Sequence, residues 1–136
     1  MTAGYSGKPL ADKLGMKPNM RIALLNTPEG YFSLLGELPA GVAIMNALEE
    51  PCDLIHYFAD SRGDLIADFP RLKLALEQAG SLWISWRKRS AKAPTDLDEN
   101  VIREIGLAHG LVDVKVAAVD ETWSALKFVR RLKDRA

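Results

Sequence analysis

A single three-layer α/β domain, with a mostly parallel sheet of about six strands and an antiparallel C-terminal strand, is the fold class this sequence predicts. Three observations predict it. Short continuous apolar runs of strand length recur along the 136 residues, the pattern of strands buried on both faces. Helix-capping signals stand between these runs. The chain closes on two strand-like segments joined by a short polar turn, which reads as a hairpin. The length suits one domain, and 48% hydrophobic with 26% charged residues is ordinary globular composition.

Taken in order, residues 9–14 form a short helix with proline in its first turn and Gly15 as its stop, inside an N-terminal extension of residues 1–20. Residues 21–26 (RIALLN) are the first strand. Thr27, Pro28 and Glu29 then read as N-cap, first-turn proline and first-turn acid of a helix carrying Leu34, Leu35 and Leu38. Residues 42–45 make a short second strand, and residues 53–59 (DLIHYFA) the third. Only about seven residues separate those two strands, a reach of roughly 23 Å at most, so no helix fits between them and the second strand reads as vestigial. Ser61 and Asp64 resemble a capping box. Pro70 predicts a break in the following helix, with Asp68 capping a second segment through Leu76. Residues 81–86 (SLWISW) are the next strand. After the basic loop 87–94 (RKRSAKAP), Thr95 or Asp96 caps an amphipathic helix bearing Val101, Ile102, Ile105 and Leu107, ended by Gly110. Residues 111–119 and 124–132 are the terminal hairpin.

Lys plus Arg number 18 and Asp plus Glu number 18, so no overall field draws the chain toward nucleic acid or anionic lipid. The single cysteine, Cys52, excludes an internal disulfide, and residues 1–20 hold no apolar run of signal-peptide or membrane-span length. The expectation is a cytoplasmic protein with no membrane partner. His56 and His109 lie far apart and give, with one cysteine, no metal-ligand spacing, so no metal is expected.

Strands alternating with helices and closed by an antiparallel hairpin resemble the class I S-adenosylmethionine-dependent methyltransferases, a Rossmann-like architecture, with one strand and one helix missing. The likeness covers roughly residues 13–132. Asp53-Leu-Ile-His-Tyr-Phe resembles that family's fourth strand, and Ala79-Gly80 with Leu82-Trp83-Ile84-Ser85 its fifth. The stretches around Asn26-Thr-Pro-Glu-Gly and Asp120-Glu-Thr-Trp also resemble a group of small uncharacterised bacterial proteins, a likeness that implies no function. The cofactor motif departs from the methyltransferase pattern. Leu24 stands at the acidic position of the first strand, Asn26 and Pro28 at the first two glycines, and only Gly30 remains. Asn46, with Glu49 a little beyond, stands where the family's ribose-binding carboxylate belongs. From these departures no cofactor is expected, with S-adenosylmethionine disfavoured.

Open parallel sheets bind ligands outside the carboxyl ends of their strands. That edge collects residues 26–30, Asp60, Ser61, residues 86–90 and residues 120–123, from which Asn26, Thr27, Glu29, Gly30, Trp86, Lys88, Asp120 and Trp123 are the candidate ligand-binding residues. Trp supplies contact area, and Arg87 or Lys88 pairs an anion. The same residues also suit capping and turn chemistry. Glu29 argues against a phosphate cradle at the helix start. His56, mid-strand among apolar neighbours, reads as a core histidine, and His109 suits a helix C-terminus. Arg87, Lys88, Arg89 and Lys92 beside Trp86 have the composition of a nucleic-acid contact, as does the tail of Arg130, Arg131, Lys133 and Arg135, but neutrality favours solvated faces. The function these readings favour is a non-catalytic or degenerate methyltransferase-like domain holding a small polar ligand or a protein partner. The alternative is a small S-adenosylmethionine-dependent methyltransferase with an atypical cofactor loop.

Overall fold

The computed structural model describes residues 8–45, 47–48, 51–89 and 94–136. Asn46 and Glu49, the positions matched to a ribose carboxylate, and Lys92 of the basic loop lie outside them. The elements run α1 (Leu10–Leu14), β1 (Arg21–Leu25), α2 (Tyr31–Leu35), β2 (Ala43–Met45), β3 (Cys52–Phe58), α3 (Arg62–Ala75), β4 (Leu76–Arg87), α4 (Glu99–Ala108), β5 (Leu111–Ala118) and β6 (Trp123–Arg130). They form one six-stranded sheet in the order β2-β1-β3-β4-β6-β5. The pairs among β2, β1, β3 and β4 are parallel, and β6 is antiparallel to both β4 and β5. The mostly parallel sheet with an antiparallel final strand is thus present, and the short second strand does belong to it, as a three-residue edge.

Each sheet face carries its own apolar layer. Leu65, Phe69, Leu72, Ile102 and Ile105 of α3 and α4 cover Ile55, Tyr57, Leu82 and Ile84. On the other face Leu10, Leu14, Tyr31 and Leu35 of α1 and α2 cover Ile22, Leu54, Phe58 and Trp83. β3 is central, which explains why its sequence shows no polar alternation. The indole Nε1 of Trp83 donates to Leu14 O at 3.0 Å, fastening α1 to the sheet.

Four local expectations are corrected. Thr27 does not cap α2: the helix starts at Tyr31, after Gly30 at φ +83°, because residues 26–30 leave the sheet in a non-helical loop that opens with Asn26 at φ +59°. α3 is continuous through Pro70. Its anchors Leu65, Phe69 and Leu72 are fully buried while Pro70 is exposed, so the carbonyl that loses its partner faces water. The cap of α4 is Asp98, whose carboxylate accepts from Val101 N–H, while Thr95 accepts from Leu97 N–H and Asp96 from Arg62 N–H. Finally, β4 begins at Leu76 rather than Ser81. Its first residues bulge where the β3–β4 register shifts, and a Cβ on Gly80 there would lie 2.8 Å from Leu76 Cδ1.

Candidate functional site

Because β1, β3, β4 and β5 point the same way, their carboxyl ends and the β5–β6 turn meet at one edge of the sheet. Asn26 bridges the first two ends by donating from Nδ2 to Phe58 O at 3.2 Å. Asp120 builds the turn: its Oδ1 accepts from Thr122 N–H and Trp123 N–H, each at 2.8 Å. The turn is locked to β4 by Lys88 N–H donating to Thr122 O and Lys88 Nζ donating to Asp120 O. Trp123 is thereby held opposite Arg87, its β4 partner.

Between these walls lies a cleft of about 450 Å³ lined by Asn26, Thr27, Pro28, Phe58, Asp60, Asp64, Arg87 and Trp123. This is an ordinary volume for a small-molecule site. The Arg87 guanidinium sits 4.6 Å above the Trp123 ring and pairs with the Asp60 carboxylate. The Asp60 side chain is 71% exposed, so this ion pair is weak and a ligand charge can replace either partner. The Phe58 ring meets Trp123 edge-on at 5.0 Å and forms the cleft floor. A guanidinium, two carboxylates and two aromatic rings therefore converge on one concave surface.

Of the residues the sequence singles out, Asn26, Thr27 and Trp123 line the cleft. Asp120 and Lys88 shape its wall through the turn without lining it. Glu29 and Gly30 are exposed on the loop above. Trp86 shares the edge but belongs to the opposite layer, packed with the α3 and α4 side of the core, because neighbouring strand residues point to opposite faces. Phe58 and Asp64 are lining residues that the sequence reading does not reach. Phe58 ends an apolar run and reads as core, and Asp64 reads as half of a capping box, whose Ser61 Oγ does accept from Asp64 N–H.

No family model matches the chain, and no curated protein matches it in sequence. Solved structures do match. A SAM dependent methyltransferase from Aquifex aeolicus superposes with a TM-score of 0.64 at 15% identity, over 88% of this chain and 86% of that one. A ribosomal protein L11 methylase from Lactobacillus delbrueckii subsp. bulgaricus gives 0.61 at 14% identity, over 89% and 74%. The magnesium protoporphyrin IX methyltransferase from Synechocystis PCC 6803, solved with bound SAM, gives 0.56 at 12% identity, over 90% and 74%. The fold is thus the class I methyltransferase-like, Rossmann-like fold.

These neighbours correct the expectation of no cofactor with S-adenosylmethionine disfavoured, since the fold is one that holds this cofactor in the Synechocystis enzyme. Pro28, one ground for that expectation, is among the residues that line the cleft.

Proposed function

We propose that this chain is a small S-adenosylmethionine-dependent methyltransferase with an atypical cofactor loop. The observation that carries the reading is the convergence of Arg87, Asp60 and Asp64 with Phe58 and Trp123 on one cleft at the carboxyl edge of this fold. The donor set fits the amino-acid portion of such a cofactor, which bears a carboxylate and two cationic centres. Arg87 receives the carboxylate, and Asp60 and Asp64 receive the cations. Asn26, Thr27 and Pro28 line the cleft from the loop above, and Phe58 and Trp123 exclude water from its floor, which strengthens each charge interaction inside. When bound, the cofactor supplies a methyl group carried on a sulfonium centre for transfer to a nucleophile.

The reading is tested by calorimetric and melting titrations with S-adenosylmethionine and S-adenosylhomocysteine. Cofactor at 100 times its dissociation constant raises stability by about 2.7 kcal/mol. Replacing Arg87 by Met weakens binding about tenfold or more, the loss of one charged hydrogen bond. Absence of any heat or melting shift with millimolar cofactor would overturn it.

A further inference from the structure

Three polar side chains are sealed inside the α1 and α2 side of the core. Tyr31 OH lies 2.8 Å from His56 Nδ1, and His56 Nε2 lies 2.7 Å from Ser85 Oγ. Their exposures are 1%, 0% and 0%. The surroundings are aromatic: the Phe58 ring lies 4.3 Å from the imidazole, and Tyr31 meets Phe58 edge-on at 5.3 Å. Burying such a chain of hydroxyl and imidazole groups brings little net stability, because apolar side chains of matching shape serve a core about as well. What hydrogen bonds add is direction.

Their place in the fold shows what they direct. Tyr31 is the first residue of α2 and follows immediately on the loop 26–30 that overhangs the cleft. That loop starts at Asn26, tied to Phe58 O, and ends at Tyr31, tied to His56, so both of its ends are fastened to β3 at positions two residues apart. α2 has only five residues and no side-chain cap, too short a helix to hold the loop through its own hydrogen bonds. The bond from Ser85 orients the imidazole from the other side.

We propose that His56 is a positioning residue for the ligand loop, setting through Tyr31 where residues 26–30 stand over the cleft. Its link to cofactor binding rests on the reading given under Proposed function; its effect on the loop does not. The test compares Tyr31→Phe, His56→Asn and His56→Gln with the parent chain by amide hydrogen exchange in the absence of ligand and by S-adenosylmethionine affinity. Asparagine places a polar atom near the Nδ1 position and still reaches Tyr31, whereas glutamine reaches toward Ser85 and releases Tyr31.

In Tyr31→Phe and His56→Gln, amides of residues 27 and 29–34 exchange about tenfold faster and affinity falls about tenfold, while His56→Asn stays near the parent in both. A purely structural role would instead make the two His56 variants alike. Equal behaviour of those variants, or parent-like exchange in folded Tyr31→Phe, overturns the proposal. Should both His56 variants fail to fold, Tyr31→Phe decides alone, since it keeps the ring. If the parent binds no cofactor but the exchange pattern holds, the positioning role stands and the cofactor reading falls.

Discussion

His56 is enclosed on every side, and burial holds its pKa down to about 3 from the usual 6.5. The unfolded chain therefore takes up this proton first as pH falls. The stabilisation from keeping His56 neutral is complete above about pH 6.5 and is lost progressively toward pH 3, by several kcal/mol in all. Urea midpoints measured at pH 7 and pH 4.5 should drop steeply for the parent and less steeply for His56→Asn, which removes the titrating group and leaves the carboxylates. Parallel losses in the two proteins would assign the acid sensitivity elsewhere. Its place mid-strand among apolar neighbours foretold that His56 is a core histidine. Its two partners were not legible, because Tyr31 and Ser85 lie 25 and 29 residues away and no local pattern joins them. Asn26 and Trp123 were legible as cleft residues, since each directly adjoins a strand end whose direction the apolar runs imply.

Among the elements, the strands could be read from sequence apart from the start of β4, whereas the helix boundaries could be read only in part: Gly15 stops α1 and Ser61 caps α3, but the starts of α2 and α4 and the passage through Pro70 could not. Buried strands such as β3 announce themselves by unbroken apolar runs, whereas α3 crosses Pro70 because tertiary anchoring of Leu65 and Phe69 outweighs one lost backbone bond. Arg130 gives the same lesson in reverse. In the sequence it belongs to a basic tail, yet its side chain is buried at the end of β6. There it donates from Nη1 to Leu76 O and Glu77 O and from Nη2 to Lys73 O, closing the C-terminus of α3 against the start of β4. Arg130→Met leaves these carbonyls without that donor and should lower unfolding free energy by about 2–4 kcal/mol in urea titrations. Arg131→Met, whose side chain pairs only weakly with Asp134, should change it by less than about 0.5 kcal/mol. Equal effects from the two would mean that the buried fork is not what joins α3 to β4.

At the scale of the whole molecule, charge neutrality and the engagement of the basic loop point the same way. Arg87 is paired with Asp60, and Lys88 is spent on the Asp120 carbonyl. We therefore expect binding to single-stranded or duplex nucleic acid to be weak and to vanish between about 50 and 200 mM salt, as measured by fluorescence anisotropy. Tight binding that persists at the higher salt would contradict this. No helix of the described residues is long and apolar enough to cross a membrane. The sheet also divides the three tryptophans of the chain. Trp86 packs in the α3 and α4 layer and Trp83 and Trp123 in the other, and of the three Trp123 lines the cleft, under a guanidinium. The protein thus carries an intrinsic fluorophore in the lining of its own cleft, beside two that do not line it. Occupancy of the cleft, by whatever molecule fills it, becomes visible as a change in the emission of a single indole, with no label attached.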